Sequence, residues 1–429
     1  MQTATGFARQ VEVNSARLME ELQVLSKFTS VEQPNEGTAV TRIVFSEDDL
    51  KARAWLKRLA AEDGLLVRED AVGNTFYRLV GSEPDLPAVA TGSHIDAIPH
   101  AGMYDGTVGV LGGLEAIRAL KRSGLRPRRS IELVLLTSEE PTRFGIGCLG
   151  SRLIAGILDP ESADNLHGAE RGKEAETLAQ VRDAAGFRGP LSSVRLKQDD
   201  YYAWVELHIE QGPILEREQI PIGIVTAIAA PASYRFTIEG VGGHAGALLM
   251  PDRRDALCAA AEIILSVEKH ALATKAIDTV ATVGTCEVYP GAVNSVPSGV
   301  TLQVDIRDID PARREVVMLA VRGDIDELTR KREVKVTEEL VNADQPAICS
   351  EHVIEVIEQV CAELGIPSKH MVSRAYHDSL FMAQIAPMAM IFIPCRGGVS
   401  HRPDEYASPS DIFHGTQVLA NTLARLAME

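Results

Sequence analysis

Five positions along this chain place His, Asp or Glu just beyond a strand-like apolar run or just ahead of a helix. His94-Ile95-Asp96 follows Ala88–Ser93, and Asp105 lies eleven residues after His94, ahead of a helical run. Glu139-Glu140 follows Ile131–Thr137, His208 follows Tyr202–Leu207, and His401 sits in a Gly-rich loop after Met388–Ile393. Imidazole nitrogen and carboxylate oxygen are donors that zinc and manganese both accept. Two His–carboxylate sets sharing one Asp suit a dinuclear site, in which a bridging carboxylate lets two cations polarise one water and the substrate oxygen. A further Glu that is not a ligand is then available as general base. The Glu139-Glu140 turn can supply both roles.

Taken singly, each of these residues has an ordinary structural explanation. His208 reads equally as a hydrogen-bonded core histidine, Glu139-Glu140 as a solvated turn and His401 as a loop residue. Their joint occurrence at strand ends singles them out, because ligands of open α/β sheets bind beyond the carboxyl ends of the strands. The histidines at 100, 167, 270, 352, 370 and 414 show no such placement.

The elements that must position these residues follow from periodicity. Residues 10–29 and 47–63 carry apolar residues at helical spacing. Ala88–Ser93 and Ile131–Thr137 are continuous apolar runs suited to buried parallel strands, and Gly106–Leu120 between them reads as a helix with small residues on one face. Tyr202–Leu207 adds a strand. The character then changes: strand Ser233–Glu239, helix Asp255–His270, strands Ala281–Val288 and Val300–Ile306, helix Arg313–Arg330 and strand Glu333–Leu340. After about residue 347 come helices His352–Leu364 and Ser379–Ala383 and strand Met388–Ile393. The order predicts an α/β protein: a doubly wound catalytic domain over 1–228 and 346–429, interrupted by an α+β two-layer sandwich over 229–345.

Length and composition agree with two domains. The chain has 429 residues, 45% hydrophobic and 24% charged, as a globular protein requires. A formal net charge of −17 repels phosphate backbones and argues against nucleic acid as a partner. The six cysteines form no CxxC pair, no apolar run of membrane-spanning length occurs, and the first residues lack a leader-like apolar core. These features predict a cytoplasmic protein without a membrane partner.

The segment Gly92–Leu120 resembles the metal-binding core of the peptidase-M20-like amidohydrolases. It is most similar to the branch of allantoate amidohydrolase, ureidoglycolate amidohydrolase and N-carbamoyl-L-amino-acid hydrolase. Thr137–Arg152 (TSEEPTRFGIGCLGSR), Glu206–Glu216 (ELHIEQGPILE), Gly242–Gly246 (GGHAG), Asn294–Pro297 (NSVP), Asp305–Arg307 (DIR) and Gly398–Glu405 (GVSHRPDE) extend the resemblance over nearly the whole chain. It implies a catalytic α/β domain with an inserted lid through which two subunits form a homodimer. It implies two divalent metal ions per subunit, manganese favoured and zinc the alternative. His94 and His208 would hold one ion, Glu140 and His401 the other, and Asp105 would bridge them. Asp96 would orient His94, Glu139 would be the general base, and a cis peptide would follow Asp105.

The resemblance also implies a small ureido-carboxylate substrate. His244 would cross from the partner's lid to stabilise an oxyanion, Asn294 and Arg307 would grip the carboxylate, and Gln211 would contact the ureido group. The segment Arg374–Met382 (RAYHDSLFM) carries Tyr376-His377, a pair similar to that of the ureidoglycolate enzymes, which would contact the substrate hydroxyl or carboxylate. The implied reaction is hydrolysis of (S)-ureidoglycolate to glyoxylate, ammonia and carbon dioxide in purine catabolism. Allantoate or an N-carbamoyl amino acid is the alternative substrate, and an M20-type peptidase a further one.

Overall fold

A computed structural model of the chain describes residues 11–168 and 175–429. The expected helix over 10–29 is observed as α1 (Ser15–Leu25), and its expected first residue lies outside the described residues. The Asn14 side chain caps α1 by accepting from the Arg17 N–H. Helix α2 (Glu47–Glu62) starts at Ser46, which accepts from Asp49, and three acids in its first turn face the positive end of the helix dipole. The chain then lays down β1 (Leu66–Glu69), β2 (Thr75–Leu79), β3 (Ala88–Ser93), helix α3 (Thr107–Ser123), β4 (Ile131–Leu135), helix α4 (Leu149–Ala155), β5 (Tyr201–Ile209) and β6 (Ile222–Ile228). A second set follows: β7 (Ala230–Glu239), β8 (Gly243–His244), helix α5 (Ala256–Ala273), β9 (Val280–Tyr289), β10 (Ser295–Val296), β11 (Gly299–Asp308), helix α6 (Pro311–Arg332) and β12 (Lys335–Ala343). The chain closes with β13 (Ala347–Ile348), helix α7 (Glu351–Leu364), β14 (Ser368–Ser373), helix α8 (Ser379–Met382), β15 (Met388–Ile393) and helix α9 (Pro409–Leu426).

Two compact units result. One takes in the described parts of Met1–Thr226 with Ile348–Met371 and His377–Glu429; the other is Ala227–Ala347 with Val372–Tyr376. The short return at 372–376, which the sequence reading placed with the catalytic part, joins the second unit, and within it the Ala229 N–H donates to the Ser373 carbonyl (2.8 Å).

The nine-stranded sheet of the first unit has the order β13-β6-β15-β5-β3-β4-β2-β1, with β14 paired to β6. Its centre, β15-β5-β3-β4, is parallel. The flanks β6, β2 and β1 are antiparallel, so the sheet is mixed. Residues of β3, β4 and β15 are buried throughout, as central strands covered on both faces must be. Helix α3 packs closely over this centre: a Cβ at Gly109 would lie 2.5 Å from the Leu207 carbonyl oxygen. Glycine there lets the helix that follows Asp105 settle directly on β3 and β5.

The second unit is an antiparallel sheet, β9-β11-β7-β12, with two helices against it. Along β11 burial alternates: Val300, Leu302, Val304 and Ile306 point inward. They share one apolar core with Ile263 and Val267 of α5 and Val317 and Val321 of α6. The α+β two-layer reading thus describes this unit. Among the described residues all six cysteines are free, and no helix is long and apolar enough to cross a membrane.

Candidate metal centre

Sheet order alone brings the expected ligands together. Strands β4, β3, β5 and β15 are parallel neighbours, and their carboxyl ends carry Glu139-Glu140, His94, His208 and the His401 loop in that spatial order. His208 lies inside β5, opposite Phe392 of β15, rather than after the strand. Asp105 ends the loop that leads into α3.

Asp105 is the point of convergence. Its Oδ1 lies 3.5 Å from His94 Nε2 and 3.2 Å from His208 Nε2, and its Oδ2 lies 3.3 Å from His401 Nε2. His401 Nε2 is also 3.4 Å from Glu140 Oε1. Two triads, His94-Asp105-His208 and Asp105-Glu140-His401, thus share one carboxylate. Metal–ligand bonds of about 2.0–2.1 Å at tetrahedral angles give ligand–ligand edges of about 3.4 Å. The observed separations of 3.2–3.5 Å match that spacing.

The ring orientations fit as well. His94 Nδ1 lies 3.0 Å from the Asp96 carbonyl oxygen, and His208 Nδ1 lies 2.9 Å from the Ile209 carbonyl oxygen. A proton on each Nδ1 leaves Nε2 with a lone pair toward Asp105. Asp96 therefore acts differently from the expectation. Its backbone carbonyl holds the His94 ring, while its carboxylate accepts the backbone N–H groups of Glu139 (3.2 Å) and Glu140 (3.0 Å). The carboxylate is 3.7 Å from His94 Nδ1 because those two N–H groups hold it at the β4 turn. Asp105–Gly106 is not cis: among the described residues the cis bond is Tyr289–Pro290. Gly106 makes the turn with φ 64°, and the His94 ring lies 2.4 Å from where its Cβ would be, so only glycine fits.

The electrostatics call for cations. Asp96, Asp105 and Glu140 are buried, and Glu139 is 12% exposed. Burial pushes Glu139 well above the ordinary carboxylate range and Glu140 up to about 7. Burial also opposes ionisation of Asp105, yet the three imidazoles of His208, His401 and His94 around it hold it well below that range. The Asp105 contact lifts His401 to about 9. Carboxylates this crowded are stable as anions only when paired.

The remaining predicted residues fall into separate settings. Gln211 Nε2 donates to Asp105 Oδ2 (2.6 Å), and among the described residues its Oε1 finds no partner although it is buried. That oxygen is available to accept an N–H. His377 is buried and packs edge-on against His208, with ring centroids 4.5 Å apart. His377 also forms a triad with Glu206 and His208. Glu206 is already occupied there, accepting the hydroxyls of Ser93 (2.8 Å) and Ser379 (2.5 Å).

In the second unit, His244 on β8 pairs with Ser295, so Asn294 is its neighbour. Arg307 lies at the far end of β11, its Nε donating to Asp305 (2.8 Å) and Nη1 to the Arg374 carbonyl (3.5 Å). Tyr376, close by in sequence to Arg374, donates its hydroxyl to Asp344 (3.2 Å). Arg307 is eight positions after Gly299, so at about 3.3 Å per residue the two are about 26 Å apart along the strand. Asn294 and Arg307 of one chain therefore do not form a pair.

Sequence reasoning missed Arg42 and Cys148. The buried Arg42 guanidinium donates to the carbonyls of Ile95 (2.8 Å), Phe28 (3.1 Å) and Leu25 (2.5 Å), fixing the segment between His94 and Asp96. The Cys148 thiol lies 3.6 Å from Glu139 Oε1. Arg42 closes a short strand, Val40–Arg42, that has no apolar run to mark it, and Cys148 precedes α4 rather than following a strand.

Fold and site together define a metal-dependent hydrolase of the M20 type, and residues 90–425 match peptidase family M20/M25/M40. The chain belongs to that family. It is 52% identical over 428 residues to the ureidoglycolate hydrolase of Arabidopsis thaliana, covering 99% of this chain and 89% of that protein. It is 38% identical to the N-carbamoyl-L-amino acid amidohydrolase of Geobacillus stearothermophilus, over 97% of this chain and 99% of that one. Crystal structures of AtUAH in complex with (S)-hydroxyglycine and with glyoxylate superpose with TM-scores of 0.88 at 51% identity, covering 99% of this chain and 100% of theirs.

Proposed function

We propose that this protein hydrolyses (S)-ureidoglycolate, releasing ammonia and carbon dioxide and yielding glyoxylate. The chemistry rests on one observation: two ligand triads share Asp105, with Glu139 beside them and 3.8 Å from His94. The choice of substrate rests on the similarity to the Arabidopsis ureidoglycolate hydrolase over almost the whole chain. The AtUAH complexes add support, because (S)-hydroxyglycine is what remains once the carbamoyl group is lost, and glyoxylate is what remains once hydroxyglycine loses ammonia. A cytoplasmic location completes this reading.

His94 and His208 would hold one divalent ion, Glu140 and His401 a second, and Asp105 both; manganese is favoured, zinc the alternative. Such ions supply Lewis acidity toward the ureido carbonyl and acidify water. Glu139 takes the proton of the attacking water and returns it to the leaving nitrogen. Gln211 Oε1 accepts from the ureido nitrogen. Arg307, with Tyr376 and His377, addresses the carboxylate and hydroxyl end, and a planar guanidinium suits a carboxylate. His244 and Asn294 would come from the partner subunit of a homodimer, His244 to meet the oxyanion. The separation of Asn294 from Arg307 within one chain favours such sharing.

Ammonia release from ureidoglycolate, allantoate and N-carbamoyl amino acids, measured on metal-stripped protein reloaded with Mn²⁺ or Zn²⁺, tests the substrate. Preference for allantoate or a carbamoyl amino acid would refute it. Arg307→Lys is expected to raise KM for ureidoglycolate about tenfold, since the charge is kept but the two-pronged geometry is lost; an unchanged KM removes Arg307 from the carboxylate. For His244→Ala, reassorting the inactive variant with inactive Glu139→Gln subunits is expected to restore up to about a quarter of wild-type activity. Half of randomly formed dimers are mixed, and each mixed dimer keeps one intact site. No recovery in verified mixed dimers refutes sharing.

A further inference from the structure

Glu405 ends the GVSHRPDE segment and has no part in the mechanism above, yet it is 4% exposed and fully engaged. Its Oε1 accepts two backbone N–H groups, from Tyr104 (2.8 Å) and Asp105 (3.1 Å). Its Oε2 lies 2.8 Å from the Ser400 hydroxyl, which is 2.6 Å from Asp105 Oδ2. One carboxylate thus ties the backbone of the Asp105 turn to the residue preceding His401, across about 300 positions of sequence. The fit is tight on the turn side: a Cβ at Gly102 would lie 2.4 Å from both Cβ and Oε1 of Glu405.

The loop it holds needs holding. His401 adopts φ 60°, a left-handed conformation that a non-glycine residue keeps only when its surroundings impose it. Beyond Glu405, the loop is held at Pro403, whose carbonyl accepts the Thr38 N–H (2.8 Å). His401 itself is 45% exposed in its side chain and has little packing to fix it.

We infer that Glu405 is a positioning residue: it locks the Asp105 turn against the His401 loop so that the two ligands meet at ion-binding distance. The inference rests on the metal-centre reading above. An anchoring group of this kind typically sets metal affinity within a factor of about 10–100.

The test is Mn²⁺ titration of chelator-stripped, full-length protein, with free Mn²⁺ followed by electron paramagnetic resonance and folding checked by thermal unfolding. Glu405→Ala is expected to weaken Mn²⁺ binding about 10–100-fold. Glu405→Gln keeps an oxygen for the two N–H groups and is expected to stay within about threefold of wild type. A purely structural role would lower the unfolding temperature of Glu405→Ala without this graded change in affinity. If Glu405→Ala does not fold, Gly102→Ala decides, since its methyl must displace the Glu405 side chain: weakened binding supports the inference, and wild-type affinity overturns it. A folded Glu405→Ala with wild-type affinity overturns it too, and leaves the metal centre standing. A wild-type chain that takes up neither Mn²⁺ nor Zn²⁺ overturns both.

Discussion

Replacing Glu139 by Gln is expected to leave both ions bound while cutting kcat by about 10² to 10⁴. Glu139 is adjacent to Glu140, but only Glu140 approaches His401, while a Glu139 oxygen faces His94 Nε2 at 3.8 Å. Neither triad needs Glu139 as a donor. Burial pushes its carboxyl well above the usual range, which suits a group that must take a proton and give it back. An amide of the same shape preserves the turn, because the backbone N–H of residue 139 still reaches the Asp96 carboxylate. Metal analysis by mass spectrometry and steady-state kinetics on one preparation check both halves. A variant within tenfold of wild-type kcat removes Glu139 from proton transfer, and one that has lost metal makes it a ligand.

The sequence showed best what depends on side-chain type at strand ends. Strands β3, β4 and β15 are apolar runs because both faces are covered, so their ends, and the residues beyond them, could be located. Of the antiparallel flanks, the edge strand β1 gives no such signal, because it is exposed along its whole length and carries no apolar pattern. What holds the ligands in place was also hidden. Arg42, Asp96 and Glu405 act through backbone carbonyls and N–H groups, which every residue possesses, so no spacing in the chain points to them. Asp96 shows the difference within one residue, since its carboxylate was expected to orient His94 and its carbonyl does so. The separation of Asn294 from Arg307 had a different source. Linear motifs carry no record of which end of a strand each residue occupies; Asn294 precedes β11 and Arg307 stands near its last residue.

Asp105→Asn should have the larger effect, and a different one. One carboxylate faces three imidazoles, with Oδ1 toward His94 and His208 and Oδ2 toward His401. An amide offers one oxygen and one NH₂ group. Whichever way it turns, a donor N–H points at the Nε2 lone pair of at least one ligand histidine, and the charge that offsets two cations is gone. Both sites are therefore expected to lose affinity together, and activity to fall below about one part in 10⁴ of wild type, since both ions act on the reacting carbonyl and water. The order of events separates this from Glu139→Gln: here metal is lost first and turnover follows, so raising Mn²⁺ should recover part of the activity of Asp105→Asn and none of that of Glu139→Gln. Unfolding in the presence of chelator distinguishes metal loss from collapse of the turn, which Glu405 and the Gly106 N–H to His208 Nε2 (3.2 Å) continue to brace. If Asp105→Asn retained one ion at full affinity together with more than about a hundredth of wild-type turnover, a single ion would suffice for catalysis, and the shared carboxylate would not be the element on which this site is built.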